Sequence, residues 1–495
     1  MTKIRKKRMK GNSRNSRRRR QQRQRIIVIA ISTASCLFVC YILGLIIPRP
    51  RGDEDGNDNR IGPKLQKQED PQPKRLRDAK TKRRAATKRE GLLPMRKALE
   101  DAVGIGEEED FDPEATDQAR QILSASANLI AVGLGPRASV RDNSYTGVIA
   151  EFCPINFAPQ KENPPEVPMF RDVLARSHCD EDSGNIIRVD LKEAVELARK
   201  FDRENTNNLP VVLDLKGAVF HESRCGSTLA ANSMMALNPE KHRVYSESAP
   251  PISALRSCGE DYANCSIKAS ANLLKDIIYL MGRSNDPKEE NLFFKFQSAT
   301  TRNLETFREA FPTTPWVFLY RKPIEVMMSQ LDVPHTSNAN CVRSKNSSPM
   351  IRKFIDKSAY KFEDFTNVEF CAVHLATLCE SALRNLEDAA GLGMAVNYSP
   401  HLVDRFLDTI FPKHFHTPVD NAGRDRVMKI SGTYSKNRGR HAEEFKPDSE
   451  EKERNASGKI KDAATDFLQP SFDKLQKSDH NIIPFDGDDD NDEEE

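Results

Sequence analysis

Two short segments, well separated in the chain, carry polar side chains whose types and spacing suit the binding of anions. The first follows apolar runs at residues 211–215 and 218–220 and precedes a helical pattern at residues 229–237. It consists of Ser223, Arg224, Cys225, Gly226, Ser227 and Thr228. A strand, a tight turn and a helix N-terminus would bring backbone N–H groups to one point, where the helix dipole favours negative charge. Arg224 adds a planar cation that suits a phosphate or a sulfonate. We therefore predict an anion cradle at residues 223–228.

The second segment begins with an uninterrupted apolar run at residues 316–320, which indicates a fully buried parallel strand. Arg321 follows directly, at the end of the strand where ligands bind in open α/β sheets. Pro323 suits the first turn of a helix, and Ser329 lies eight residues after Arg321, about two turns into that helix. Arg321 and Ser329 could therefore hold a second phosphate. The alternative is a surface salt bridge of Arg321 at a strand end.

Three further residues are candidates for proton transfer and charge stabilisation. Glu247 follows the predicted cradle helix and returns toward the same crevice, so its carboxylate could accept a hydroxyl proton, unless it is an ordinary surface residue. His221, just before the cradle, is the competing base, and the alternative for it is a packed histidine at a strand end. Lys295 lies between two phenylalanines in a predicted strand at residues 291–297. It is either a catalytic cation or a strand residue whose amine reaches solvent.

Together these segments resemble the sulfotransferase family, most closely its Golgi tyrosylprotein and carbohydrate branches. Residues 223–228 are similar to the phosphosulfate loop of the family, and Cys225 departs from its usual small or polar residue. Arg321 and Ser329 match the Arg and Ser pair of the family in type and spacing. The resemblance covers residues 210–335. It implies 3′-phosphoadenosine-5′-phosphosulfate as the sulfuryl donor and a hydroxyl or amine as the acceptor.

The resemblance also implies a role for each residue. The cradle amides and Arg224 would hold the 5′-phosphosulfate, and Arg321 and Ser329 would hold the 3′-phosphate. Glu247 would be the base, and Lys295 would contact the bridging oxygen or the leaving phosphate. In the family a late basic loop closes over the 3′-phosphate, and here the corresponding candidates are Ser435, Lys436 and Arg438. The alternative for that loop is a solvated turn.

Other classes of protein share some of these features. A P-loop kinase would need a lysine before the Ser-Thr pair, and this chain has none there. A type II membrane glycosyltransferase would share the anchor and stem described below, and Asp180-Glu181-Asp182 has the pattern of its metal site. These residues lie beside Cys179 in a polar loop, however, and a solvated loop is the favoured interpretation. A non-catalytic membrane protein with a vestigial nucleotide fold is the third alternative.

The N-terminal residues predict the compartment. Residues 1–25 contain 13 Lys or Arg and no acidic residue, and the 22 residues 26–47 carry no charge. A helix of that length spans about 33 Å, enough to cross a bilayer core of about 30 Å. The basic flank would stay cytosolic, so we predict a single-pass type II protein of the Golgi membrane with a luminal catalytic domain. A cleaved signal peptide is the alternative, but its apolar region is usually shorter.

Composition divides the rest of the chain. Residues 48–140 are rich in charge and proline, which predicts a disordered luminal stem. Residues 141–475 would form the catalytic domain, and residues 476–495 an acidic disordered tail. Alternation of buried strands with helical patterns predicts an α/β fold, a P-loop-like three-layer α/β/α domain with a central parallel sheet, preceded by one transmembrane helix. Without the basic tail the net charge is +3 − 13 = −10, which argues against a nucleic-acid partner.

Eight of the ten cysteines lie in the predicted luminal part, where most should form disulfides. Cys258 with Cys265 is an attractive local pair, and Cys153 with Cys179 is plausible, but spacing does not determine the connectivity. No cysteine or histidine cluster has the spacing of a zinc site, so no metal is expected. The predicted partners are the membrane, the donor and an acceptor protein or glycan of the secretory pathway, and a homodimer stays open.

Overall fold

The computed structural model of the chain describes residues 92–102, 113–180, 182–205, 209–343, 345–358, 360–434, 443–444 and 448–482. All of them belong to one structural unit, residues 74–495. The predicted basic tail and membrane anchor, residues 1–25 and 26–47, lie outside the described residues. None of the described helices is both long enough and apolar enough to cross a membrane.

The strands of the described residues fall into one large sheet and three smaller ones. In chain order they are β1 Ala127–Arg141, β2 Ser144–Pro154, β3 Ile187–Asp190, β4 Val211–Val212, β5 Asp214–His221, β6 His242–Ser246, β7 Arg283–Ser284, β8 Asn291–Lys295, β9 Trp316–Tyr320, β10 Gly393–Asn397, β11 Thr433–Tyr434 and β12 Glu443–Glu444. The central sheet has the order β10-β9-β5-β8-β6 and is parallel throughout. The cradle strand β5 is therefore the middle strand.

Helices connect these strands and cover the sheet. In chain order they are α1 Met95–Ala102, α2 Pro113–Leu123, α3 Ala158–Glu162, α4 Phe170–Arg176, α5 Leu191–Glu204, α6 Ser227–Leu237, α7 Ala249–Leu255, α8 Ile267–Met281, α9 Leu304–Ala310, α10 Pro323–Leu331, α11 Asn340–Arg343, α12 Pro349–Asp356, α13 Asn367–Glu387, α14 Leu402–Arg405, α15 Asn421–Ser431, α16 Ser449–Asn455, α17 Gly458–Ala463 and α18 Gln469–Gln476. Two of these helices continue as π-helical segments, at Phe406–His414 and Ala464–Leu468. Short 3₁₀ helices lie at Ser298–Asn303, Thr336–Asn338 and Phe362–Asp364.

Side chains of the central strands alternate between two apolar cores, one on each face of the sheet. Val317 and Leu319 of β9 face the core that contains α6, while Trp316 and Phe318 face the core that contains α8 and α13. Burial on both faces explains why β9 is an unbroken apolar run, since a strand with one solvent face would alternate with polar residues. The chain is thus an α/β protein with helices on both faces of a parallel five-stranded sheet, an arrangement compatible with three α/β/α layers.

Two predicted boundaries are wrong. Residues 113–140, assigned to a disordered stem, contain α2 and most of β1, and α1 lies further upstream. Thirteen of the 28 residues 113–140 are apolar, and Ile122 and Leu129 among them are fully buried, so this part of the chain belongs to the core. At the other end, residues 476–482 were assigned to the acidic tail. Asn481 instead forms a parallel bridge with Ala395 beside β10.

Disulfide pairing agrees with the predicted pairs. Cys153 is bonded to Cys179 and Cys258 to Cys265, and a third bond joins Cys341 to Cys371. Cys225 and Cys379 are buried free thiols. Three disulfides are compatible with a secreted or luminal protein.

Candidate active site

All five strands of the central sheet deliver a polar residue to the same edge. His221 ends β5 and Lys295 ends β8, while Glu247, Arg321 and Tyr398 follow the last residues of β6, β9 and β10. Because the strands are parallel, their carboxyl ends lie side by side, and ligands of open α/β sheets bind at this edge. The structure thus brings together most of the predicted site residues on the basis of strand order alone.

The cradle loop has an unusual backbone. Ser223, Arg224 and Gly226 have φ angles of 88°, 56° and 77°, all in the left-handed region. Only the glycine adopts this conformation without strain, and such strain is commonly found at functional sites. Gly226 directly precedes α6, whose first turn no side chain caps in the described part of the chain. The N–H groups of this turn are therefore available to an anion.

Close packing against the cradle also requires the glycine. A Cβ atom at Gly226 would lie 2.6 Å from the ring of Tyr398 and 2.7 Å from Leu402. Ser227 is buried at the start of α6, whereas Thr228 is partly exposed. The ring of Tyr398 therefore forms a wall of the cradle that the sequence analysis did not identify.

The two predicted anion-binding segments contact each other. The Nε–H of Arg224 donates to the backbone oxygen of Ser329 at 3.0 Å. In return, Nη1 of Arg321 donates to the backbone oxygen of Arg224 at 3.4 Å. Ser329 is 6% exposed, and it contacts Arg224 through its backbone oxygen and not through its hydroxyl. The arginines thus share one crevice.

Arg321 already has anionic partners. Its Nε–H donates to Glu325 Oε2 at 2.6 Å, and Nη2 donates to Asp448 Oδ1 at 2.9 Å. The guanidinium also lies over the ring of Tyr398, 4.6 Å from its centroid. Glu325 could have been found from its i,i+4 spacing in the predicted helix, whereas Asp448 has no sequence signal because it lies 127 positions away. An incoming phosphate would have to replace the carboxylate of Asp448.

A buried acid, Glu222, links the two segments. It is 1% exposed, and its Oε2 accepts a hydrogen bond of 2.9 Å from the backbone N–H of Arg321. Its Oε1 is buried without a hydrogen-bond partner among the described residues. Burial raises the pKa of Glu222 to about 8, although Arg321 opposes the rise. Below that pH the carboxyl is neutral and does not repel an anion in the neighbouring cradle.

Lys295 and Glu247 form an ion pair at the ends of β8 and β6. Nζ of Lys295, a residue 1% exposed, donates to Oε1 of Glu247. The backbone N–H of Glu247 also donates to the oxygen of Lys295 at 2.7 Å. Burial raises the pKa of Glu247, but the charge of and hydrogen bond from Lys295, together with His221 and Arg171, outweigh it, so the pKa lies below its usual range. A carboxylate held in this way is a weakened proton acceptor.

His221 has both ring nitrogens engaged. Nδ1 accepts a hydrogen bond of 3.0 Å from the backbone N–H of Ser223, so the proton is on Nε2, which donates to the oxygen of Phe296 at 2.9 Å. Burial, together with the charge of Lys295, lowers its pKa to about 3. His221 is therefore a neutral packed residue that orients the cradle backbone, and this geometry favours the structural alternative over a base.

Cys225 is also a packing residue. Its thiol donates to the backbone oxygen of Leu319 at 3.2 Å, and burial raises its pKa to about 12. A buried neutral thiol behaves as a small apolar side chain. Its side chain therefore packs as an apolar group against β9.

Helix α4 contacts the end of β6, which sequence reasoning missed. The ring of Phe170 packs edge-on against Tyr245, with centroids 5.1 Å apart, and Ser246 Oγ lies 3.3 Å from Met169 Sδ. Asp172 on this helix has a buried Oδ2 with no hydrogen-bond partner among the described residues. Nothing in the local sequence around Asp172 indicates a site, because its proximity to the sheet edge arises from tertiary packing.

The predicted late basic loop is not part of the described site. Ser435, Lys436 and Arg438 fall outside the described residues. No group of His, Cys, Asp and Glu side chains within the described residues has the arrangement of a metal site.

No protein-family model matches the chain, and no curated protein matches it. Function must therefore be inferred from the geometry of the residues themselves.

Proposed function

We propose that the chain is a sulfotransferase that moves a sulfuryl group from 3′-phosphoadenosine-5′-phosphosulfate to a hydroxyl. The observation that carries this proposal is the meeting of Arg224 and Arg321 at the carboxyl edge of the sheet, beside the uncapped start of α6. Two arginines and a helix N-terminus in one crevice suit a ligand with two separated anionic groups. This donor has such groups in its 5′-phosphosulfate and its 3′-phosphate.

The proposed binding roles follow from these positions. The first N–H groups of α6 and the side chain of Arg224 hold the 5′-phosphosulfate. Arg321 holds the 3′-phosphate after exchanging the carboxylate of Asp448, and the half-buried ring of Tyr398 forms a wall of the site. Ser329 contributes by positioning Arg224 through its backbone oxygen. Ser435 and Lys436 stay predicted contacts of the 3′-phosphate.

The chemistry is an in-line displacement at sulfur. The acceptor oxygen forms a bond to sulfur while the bond from sulfur to the bridging oxygen of the donor breaks, and that oxygen leaves as part of the phosphate. Negative charge develops on the leaving phosphate, so fixed positive groups beside it lower the barrier. Lys295, buried and held by Glu247, supplies such a charge at the sheet edge. No metal is required for these steps.

We also propose a luminal site of action. The three disulfides support an oxidising compartment. The uncharged residues 26–47 support a type II anchor in the Golgi membrane. The acceptor class is then a hydroxyl of a secretory-pathway protein or glycan, reached by a P-loop-like domain on the luminal side.

Calorimetric binding of adenosine 3′,5′-bisphosphate to the full chain tests the proposal. Arg321→Ala should weaken binding of the bisphosphate about 10- to 150-fold, because a hydrogen bond to a charged group contributes about 1.5–3 kcal/mol. It should leave adenosine 5′-monophosphate unaffected, whereas Arg224→Ala should weaken both ligands. Arg176→Ala, which removes an arginine 43% exposed on the surface, is the matched control.

Two results would overturn this assignment. If the wild-type chain binds no bisphosphate, the pocket is a vestigial nucleotide fold or serves another ligand. If Arg321→Ala, checked for folding by thermal unfolding, binds the bisphosphate as well as wild type does, Arg321 only pairs with Glu325 and Asp448. Metal-dependent transfer from a sugar nucleotide would instead support the glycosyltransferase alternative.

A further inference from the structure

Asp172 lies on helix α4, which packs against β6, the strand that directly precedes Glu247. Helix α4 begins beside the last two residues of β6, where Phe170 contacts Tyr245 and Met169 contacts Ser246. Glu247 is the next residue of the chain, and its negative charge contributes to the raised pKa of Asp172. These contacts place the start of α4, and with it Asp172, near the carboxyl end of β6 that Glu247 follows.

The two carboxylates differ in how they are engaged. Glu247 is held by the ammonium group of Lys295 and is 28% exposed. Asp172 has a distant ion pair with Arg171, 3.9 Å from Nε to Oδ1, and the backbone of Met169 and the charge of Arg176 also act on its carboxylate, but its buried Oδ2 accepts no hydrogen bond from the described residues. A buried carboxylate oxygen without a donor is costly, and it is satisfied when a ligand supplies one.

We propose that Asp172, rather than Glu247, accepts the proton of the acceptor hydroxyl, and that Glu247 serves to hold Lys295 in place. This inference rests on the proposed function. The hydroxyl of the acceptor donates to Oδ2 of Asp172. As the acceptor oxygen bonds to sulfur, its proton passes to Asp172, and the electrons of the breaking bond remain on the phosphate oxygen beside Lys295. Asp172 later releases that proton to solvent.

The surrounding charges are consistent with this division of roles. Burial raises the pKa of Asp172, and Glu247 adds to the rise, while Arg171, the backbone of Met169 and Arg176 oppose it. A base works best when its pKa is near the working pH, so a raised pKa improves Asp172 as an acceptor. The lowered pKa of Glu247 has the opposite effect on that residue.

Steady-state sulfuryl transfer by the full chain distinguishes the role of Asp172 from that of Glu247. The assay uses a labelled donor and a panel of hydroxyl acceptors such as tyrosine peptides and polysaccharides. Asp172→Asn should lower kcat roughly 10²- to 10⁴-fold, the usual contribution of a general base. It should leave the Kd of adenosine 3′,5′-bisphosphate within about 3-fold of wild type and remove the acidic limb of the profile of kcat against pH. Asp172→Glu should restore part of the rate.

Glu247→Gln and Glu166→Gln complete the comparison. Glu247→Gln frees Lys295, so it should change the affinity for the bisphosphate and keep the acidic limb. Glu166→Gln removes an exposed carboxylate close to α4 and should match wild type in every measurement.

The inference is wrong if Asp172→Asn keeps kcat within about 3-fold of wild type, or if the acidic limb disappears in Glu247→Gln and persists in Asp172→Asn. Loss of bisphosphate binding in Asp172→Asn would show a structural role and would also refute it. A wild-type chain that binds the bisphosphate but transfers no sulfuryl group to any acceptor would refute the proposed function itself, and the inference with it.

Discussion

Glu222 makes the stability of this protein depend on pH in a predictable direction. The side chain is 1% exposed at the base of the cradle, where it accepts the backbone N–H of Arg321. Burial raises its pKa from 4.5 to about 8. The unfolded chain loses this proton near pH 4.5, and the folded chain keeps it up to about pH 8. The contribution of Glu222 to stability is therefore complete below pH 4.5 and is lost as the pH rises through 8.

The size of the effect follows from that shift. Each pKa unit corresponds to about 1.4 kcal/mol, so between pH 5 and pH 9 this one group should lower the free energy of unfolding by roughly 4 kcal/mol. Glu222→Gln keeps an oxygen for the N–H of Arg321 but cannot ionise. It leaves an amide N–H₂ group unpaired, which should cost about 1–3 kcal/mol at pH 5, and it should be at least as stable as wild type at pH 9.

Chemical denaturation of both proteins at pH 5, 7 and 9 measures this difference, because other titrating groups are common to the two. Glu166→Gln, which removes an exposed carboxylate, is the control and should follow the wild-type dependence on pH. If the difference in unfolding free energy between Glu222→Gln and wild type stays constant from pH 5 to pH 9, Glu222 is not neutral in the folded protein. The account of an uncharged acid beneath the cradle would then be incorrect.

Two further predictions concern ligand affinity and backbone strain. Asp448→Asn removes a half-exposed carboxylate from Arg321, so calorimetry should show adenosine 3′,5′-bisphosphate binding up to about 5-fold more tightly. Unchanged or weaker binding would contradict competition between Asp448 and the phosphate for Arg321. Gly226→Ala should destabilise the protein by about 3 kcal/mol in chemical denaturation, because it strains a residue at φ 77° and drives a Cβ into Tyr398. Gly432→Ala, with no atom within 4 Å of the added Cβ, should have little effect, and equal effects at the two sites would refute this reasoning.

Several elements were predictable because they depend on local pattern. The strand predicted at residues 316–320 has the same first and last residues as β9. The prediction succeeded because a strand buried on both faces is apolar at every position. The cradle helix and α10 also appear where apolar spacing and Pro323 placed them. By contrast, residues 113–140 were assigned to the stem because the composition of residues 48–140 was judged as a whole, although 13 of these 28 residues are apolar and Ile122 and Leu129 are fully buried. Composition averages over a segment, whereas burial depends on which individual side chains face the core.

Strand order was not predictable from neighbouring elements. The sequence predicted strands at residues 291–297 and 316–320, and β8 and β9 are parallel strands of the central sheet, connected along the chain through α9. The structure places β5 between them, so the cradle lies between the strand of Lys295 and the strand of Arg321. Pairing energies between strands depend on packing across the whole sheet, and no local spacing records them.

The amino-acid sequence by itself indicated the buried strands before Arg321 and around Lys295, the loop of Arg224 and the return of Glu247 after the cradle helix, and it therefore predicted one shared crevice for these residues. Only the tertiary structure decided what those side chains contact: Asp448 from the far end of the chain on Arg321, and Lys295 on Glu247. The reason is physical. Backbone periodicity is a local property that a pattern of apolar residues specifies, whereas the charge and burial around a side chain arise from elements that the chain brings together only on folding.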